Sequence, residues 1–246
     1  MSGATAKRLP RVLILGIGNL LWADEGFGVR AVEAFQQRYH TPDSVRVLDG
    51  GTQGVYLVQE VRDADLLVVF DAIDYGLPPG TLKLIEGEAV PKYLGVKKVS
   101  LHQTGFQEVL ALAEMLGDYP QQLLLIGVQP EEIEDFGGSL RPAIKAQIEP
   151  ALQHAVAYLR RQGIAVRPRS SPLEIDPYAA AIDDIRRYET ERPGPEQACR
   201  LGDERVVWSG TYEVGYRPAD LEGQFLQVGL DQHLDSYRRA RFEREE

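Results

Sequence analysis

The sequence predicts a three-layer α/β protein, with a mostly parallel twisted sheet, helices on both faces and a C-terminal extension. Short apolar runs alternate with helical patterns over the first two thirds of the chain, as in doubly wound sheets. The runs at 12–15, 66–70 and 123–128 are almost uniformly hydrophobic, which is typical of parallel strands buried on both faces. After about residue 167 this alternation stops, and prolines interrupt a polar stretch.

The predicted strands rest on apolar or alternating runs that end in turn residues. The first run ends at Gly16, and the most apolar run ends at Asp71. An alternating run after a Pro-Pro-Gly turn predicts an edge strand. The strands are therefore expected at residues 12–15, 45–48, 66–70, 81–85 and 123–128.

The predicted helices rest on apolar residues that recur every three or four positions. Asp24 is placed to cap the first helix, with Glu25 in its first turn, and the apolar stripe continues to about Arg38. Further helical spacing is found at residues 55–61, 106–113, 140–159 and 176–189. These helices separate the strands, as parallel pairing requires.

Composition excludes several classes of protein. The 246 residues carry a formal net charge of -10, and 43% are hydrophobic, so the chain can bury a core but lacks the basic surface that nucleic acid requires. No run approaches the roughly 18 apolar residues of a membrane span. Cys199 is the one cysteine, which excludes an intrachain disulfide and fits a reducing compartment. We therefore expect a cytoplasmic protein without membrane insertion or nucleic acid as partner.

Three chemically active side chains are expected at one edge of the sheet. Glu25 follows the first strand after a loop, Asp71 ends the central strand, and His102 follows the apolar segment 99–101. Ligands of open parallel sheets bind outside the carboxyl ends of the strands. Two carboxylates and one imidazole suit zinc, nickel, cobalt or manganese and leave positions open for substrate.

Each of these residues also has a structural interpretation. Glu25 favours a helix N-terminus through the helix dipole, and Asp71 is suited to a turn after a strand. His102 is one of four histidines, and no short motif links the three residues. Gly16 and Gly18 follow a strand as in dinucleotide-binding loops, but Leu21 stands where that fingerprint needs its third glycine. Nucleotide binding is therefore disfavoured.

Five segments together resemble the hydrogenase maturation proteases, the family with the HyaD, HybD and HupD types. They are GIGNLLWADEGFGVR (16–30), LDGGTQG (48–54), FDAID (70–74), LHQTG (101–105) and IGVQPE (126–131). The resemblance spans about residues 11–163, with the segments in the family's order. It implies a phosphorylase/hydrolase-like sheet between helices, with residues 1–167 as the protease domain.

The resemblance also implies an activity and a site. Family members are endopeptidases that remove a C-terminal peptide from the large-subunit precursor of a nickel–iron hydrogenase after nickel insertion. Glu25, Asp71 and His102 match the family's metal-contacting glutamate, aspartate and histidine, so they are expected to be both the catalytic and the metal-binding residues. The expected enzyme is a nickel-dependent, aspartic-type peptidase whose nickel comes with the substrate. The ion either acts as a Lewis acid or is only a recognition element, with Asp71 as the general base. Hydrogenase assembly factors are possible further partners.

Two questions remain open at this point. A non-catalytic checkpoint protein that senses nickel in the same precursor would need the same three residues. The extension, residues 168–246, has no role that the resemblance defines. Its aromatic residues Trp208, Tyr212 and Tyr216 either dock on a partner or pack on the core.

Overall fold

The computed structural model describes residues 9–91, 101–173 and 184–191, with the backbone alone for residues 101–105. Its strands are β1 (Val12–Ile17), β2 (Tyr39–His40), β3 (Val45–Gly51), β4 (Leu66–Ala72), β5 (Leu82–Glu86), β6 (Gln122–Val128) and β7 (Arg167–Pro168). Five of them form the main sheet in the order β3-β1-β4-β6-β5, while β2 pairs with β7. Within the main sheet β1, β3, β4 and β6 are parallel, and β5 is an antiparallel edge strand. The mostly parallel sheet is thus confirmed.

The α-helices are α1 (Phe27–Arg38), α2 (Val58–Arg62), α3 (Leu101–Met115), α4 (Pro142–Lys145), α5 (Ile148–Arg161) and α6 (Ile185–Glu191). Short 3-10 helices precede α1 and α2, at Ala23–Gly26 and Gly54–Leu57. The helical spacing predicted over 140–159 is divided between α4 and α5. Pro150 explains the division, because a proline has no N–H for the carbonyl four residues earlier and is tolerated only in a first turn.

Two apolar layers hold the helices on opposite faces of the sheet. On one face α1, α4 and α5 cover a set of buried residues that includes Ile14, Val68 and Ile126. On the other face α2 and α3 cover the residues adjacent to these in each strand, among them Leu15 and Val69. This follows from the alternation of side chains along a strand. The central strands are buried on both faces, which explains their uniformly apolar sequences.

The first residues of the extension contact the core. Arg167–Pro168 pairs with the strand that follows α1, and the backbone N–H of Arg169 donates to the carbonyl of Arg38 (2.7 Å). Farther along, α6 lies on α4 and the loop before it, because Glu189 accepts hydrogen bonds from Ser139 (2.8 Å) and Lys145 (2.7 Å). The domain boundary at 167/168 stays a prediction, and Trp208, Tyr212 and Tyr216 lie outside the described residues.

Among the helices that the structure describes, none has the length and apolar character needed to cross a lipid bilayer.

Candidate active site

Asp71 lies at the carboxyl end of the central strand, as predicted, and is fully buried (0% exposed). It pairs in register with Gly127 of β6, and alternation places both residues on the face covered by α2 and α3. The hydroxyl oxygen of Tyr75 lies 2.3 Å from where a Cβ of residue 127 would stand. Glycine at position 127 therefore leaves the space beside Asp71 to the tyrosine hydroxyl.

Gln129 fixes the loop that carries this tyrosine. Its side chain is buried, and its Oε1 accepts hydrogen bonds from the backbone N–H groups of Tyr75 (2.7 Å) and Leu77 (3.1 Å). Its Nε2 donates to the carboxylate of Asp74 (3.1 Å). The loop after β4 is thereby held against the end of β6, which keeps the surroundings of Asp71 ordered. Sequence reasoning did not single out Gln129, although it lies in the segment 126–131.

Glu25 is partly buried and belongs to the 3-10 helix Ala23–Gly26, which contacts β4. Its backbone N–H donates to the carbonyl of Trp22 (2.9 Å), and its own carbonyl accepts from Asn19 (3.2 Å). That carbonyl oxygen lies 1.8 Å from where a Cβ of Gly18 would stand. The loop can therefore close over β1 only with glycine at position 18.

Close contact between α1 and the sheet brings Glu25 to the edge where Asp71 lies. A Cβ on Gly28 would lie 2.2 Å from the carbonyl oxygen of Ile17 and 2.3 Å from that of Phe70. The start of α1 is thus seated on the carboxyl ends of β1 and β4, and Glu25 precedes Gly28 by about one helical turn. The glycines of this segment allow the helix to pack closely against the strands. This packing is a structural reason for the glycine pattern that resembled a dinucleotide-binding loop.

His102 lies in the first turn of α3, which begins at Leu101, the last residue of the apolar segment 99–101. Residues 116–121 join the other end of α3 to the start of β6, where the N–H of Gln122 donates to the carbonyl of Asp65 (3.3 Å). At about 1.5 Å per residue, the 15-residue helix spans the sheet, so its first turn lies towards the carboxyl edge. Contacts between α3 and the 3-10 helix Gly54–Leu57, which follows β3, agree with this placement. The side chain of His102 is outside the described atoms.

The prediction that Asp24 caps the first helix is wrong, because this residue has a different role. The cap of α1 has no side-chain hydrogen bond, and Asp24 is instead fully buried inside the 3-10 helix. Its Oδ2 accepts hydrogen bonds from the backbone N–H groups of Glu131 (2.9 Å) and Glu132 (2.8 Å), and its Oδ1 accepts from that of Arg141 (2.7 Å). Asp24 therefore fastens the loop of Glu25 to the loop that follows β6.

The donor set has the chemistry expected of a metal-contacting site, with two carboxylates from Glu25 and Asp71 and an imidazole from His102. The structure brings the elements of all three residues to one edge of the sheet. Among the side chains it describes, which exclude that of His102, no three acidic, histidine or cysteine groups are close enough to hold a metal ion. Completion of the set by His102 therefore stays a prediction. A buried carboxylate at this edge can also serve as a general base.

Comparisons with other proteins give one consistent family. Residues 29–158 match the family model described as hydrogenase maturation protease. The chain is 63% identical over 201 residues to the hydrogenase expression/formation protein HupD of Thiocapsa roseopersicina, an alignment that covers 81% of this chain and 91% of that protein. It is 58% identical over 199 residues to HoxM of Cupriavidus necator, covering 80% of this chain and 98% of that protein.

Among solved structures, the chain is similar to the hydrogenase maturating endopeptidase HybD from Escherichia coli. The TM-score is 0.62 at 43% identity, and the match covers 65% of this chain and 98% of that chain. The alignment of 201 residues with HupD cannot fit within the first 167 residues. HupD therefore shares part of the C-terminal extension, whereas nearly all of the Escherichia coli protein is matched by about two thirds of this chain.

Proposed function

Because this chain belongs to the hydrogenase maturation protease family, we propose that it removes a C-terminal peptide from the large-subunit precursor of a nickel–iron hydrogenase after nickel insertion. The observation that carries the proposal is the convergence at one sheet edge of buried Asp71 and the loop of Glu25. The three matched residue types are intact, and the site opens where parallel sheets bind their ligands.

In this proposal nickel is part of the substrate. Glu25, Asp71 and His102 contact the ion that the precursor already holds, so an empty precursor lacks the group that places its scissile bond at the site. Cleavage then depends on positioning as much as on the peptide sequence. The close seating of α1 on β1 and β4 supports this role, because it fixes the distance between the Glu25 loop and the strand of Asp71.

Asp71 is the residue we assign to the chemical step. While one of its carboxylate oxygens contacts the ion, the other takes a proton from a water molecule as that water attacks the scissile carbonyl carbon, and the proton then passes to the leaving amine as the C–N bond breaks. The mechanism is of the aspartic type in this sense. Burial of Asp71 supports the assignment, because a carboxylate shielded from bulk water acts on the one water that the bound substrate admits.

The partner is the large-subunit precursor, together with any assembly factors that accompany it during nickel insertion. We place the reaction in the cytoplasm. The single cysteine of the chain, Cys199, supports this, since it requires no oxidising compartment.

Substitution of the two carboxylates tests the site. We expect Glu25→Gln and Asp71→Asn each to lower the rate of cleavage of a nickel-loaded precursor by at least about 100-fold, as removal of a general base or a positioning group does. Circular dichroism should show unchanged folding. Asp65→Asn is the matched control, because Asp65 is a partly exposed carboxylate at the opposite edge of the sheet. Cleavage at the wild-type rate by both variants would rule out the assignment.

A further inference from the structure

Exposed apolar side chains lie beside the candidate site. Leu21 is 39% exposed and Phe136 is 42% exposed, and Trp22 between them is partly exposed. The rings of Trp22 and Phe136 meet edge to face, with their centroids 5.2 Å apart. These three residues, which we call the edge patch, come from the loops that follow β1 and β6. Large aromatic side chains in such positions are typical of the central residues of protein interfaces.

The edge patch is held in place by the backbone. The N–H of Gly137 donates to the carbonyl of Leu21 (2.7 Å), and Trp22 forms β-bridges with Phe136 and Gly138. Asp24, two residues after Trp22, accepts hydrogen bonds from three backbone N–H groups of the loop that follows β6 and carries Phe136. The two loops therefore form one preorganised surface, and binding to it costs little ordering of the protein.

The edge patch is continuous with the site. The carbonyl of Trp22 accepts the hydrogen bond from the backbone N–H of Glu25 (2.9 Å). A substrate that brings its scissile bond to Glu25 and Asp71 must therefore pass next to the patch. This proximity favours the protein substrate as the occupant of the patch.

The charge around the edge patch is negative. Four carboxylate residues, at positions 131, 132, 134 and 135, precede Phe136 in the loop after β6. Glu131 and Glu134 are exposed, and Asp135 pairs with Arg141 at 3.0 Å. Charge complementarity then favours a partner segment in which Lys or Arg residues flank an apolar side chain.

We propose that the edge patch is the docking surface for the large-subunit precursor, and that it takes an apolar side chain flanked by basic residues of that precursor. This inference rests on the proposed function and adds the surface and the chemistry by which the substrate is recognised. Docking at the patch binds substrate and transition state alike, so its loss raises KM and leaves kcat nearly unchanged.

The test compares variants that truncate exposed apolar side chains at the two ends of the sheet. We expect Phe136→Ala to raise KM for the nickel-loaded precursor about 10-fold, with kcat within about 2-fold of wild type, as for a central interface aromatic. Phe136→Leu should recover most of the loss. Met115→Ala is the matched control, because Met115 is 75% exposed at the far end of α3. A second arm replaces Glu131 and Glu134 by Gln, which should weaken the dependence of KM on salt.

Binding of the precursor to the immobilised full-length protein is measured in parallel, in wild type and in Phe136→Ala. If wild type does not cleave, the proposed function fails, and weaker binding by Phe136→Ala still supports docking at the edge patch. Equal KM and equal binding for wild type, Phe136→Ala and Met115→Ala would overturn the inference while leaving the proposed function intact. It would also be overturned if sedimentation showed a wild-type dimer that Phe136→Ala converts to a monomer, since the patch would then bind a second copy.

Discussion

Replacement of Asp24 by asparagine is expected to destabilise the two loops that carry the Glu25 side of the site. Asp24 is fully buried, and both of its carboxylate oxygens accept hydrogen bonds from backbone N–H groups, one from Arg141 and two from the pair Glu131 and Glu132. Asparagine has nearly the same shape but carries one acceptor oxygen and one NH₂ group. Whichever way the amide turns, its NH₂ group faces a backbone N–H donor.

The magnitude follows from these contacts. In the better orientation the amide oxygen keeps the bonds from Glu131 and Glu132, while the bond to Arg141 is lost. A lost hydrogen bond to a buried charge costs about 1.5–3 kcal/mol, and the two remaining bonds lose their charged partner. We expect the free energy of unfolding to fall by about 3–4 kcal/mol, a large part of the 5–15 kcal/mol typical of a domain.

Urea unfolding of the full-length protein measures this change, and cleavage of the precursor measures its consequence for the site. The control is Asp65→Asn, because Asp65 also accepts a backbone N–H (2.8 Å from Arg11) but is partly exposed to water, so the substitution should cost less than about 1 kcal/mol. A loss of stability in Asp24→Asn no larger than in this control would refute the argument. Loss of stability with full activity would refute the coupling between this residue and the Glu25 loop.

Two further predictions concern packing and pH. Gly28→Ala places a Cβ within 2.2–2.3 Å of two strand carbonyl oxygens, so α1 must move away from the sheet. We expect this substitution to destabilise the fold by about 1–3 kcal/mol. By displacing the Glu25 loop about 1 Å, it should also slow cleavage about 100-fold. Normal stability in urea unfolding would contradict the packing argument. Burial raises the pKa of Tyr158 above its ordinary value, so the folded state keeps this hydroxyl protonated where the unfolded chain loses its proton. The stability due to this shift is present below about pH 10 and is lost as the pH rises through the higher folded pKa. Tyr158→Phe should therefore make the free energy of unfolding less dependent on pH between about 9 and 11.

Much of the fold follows from local patterns in the sequence. Uniformly apolar runs predicted the buried strands β1, β4 and β6, because helices cover both faces and place most side chains of these strands in an apolar layer. Alternation predicted β5 as an edge strand. The helical spacing did not reveal the break between α4 and α5, because a proline in the first turn of a helix does not disturb the apolar stripe.

The site was predictable only where its residues follow strands. Asp71 ends a run that is unmistakable in the sequence, and its place at the strand end is confirmed. Asp24 could not be assigned correctly, because its partners lie more than 100 residues away in the chain. An aspartate that caps a helix cannot be told from a buried aspartate that accepts hydrogen bonds from a distant loop by sequence alone, since Asp is suited to both roles. The same applies to Gln129, whose three loop partners are set by the fold alone.

We expect a nickel-loaded precursor to be cut at the site of Glu25, Asp71 and His102. Mass spectrometry of the large-subunit precursor, incubated with the full-length protein once nickel-loaded and once nickel-free, tests it most directly. We expect loss of a C-terminal peptide from the loaded form only, and no loss with Asp71→Asn. Equal shortening of both forms would contradict the role of nickel, and binding of the loaded form without any shortening would contradict the assignment of a peptidase.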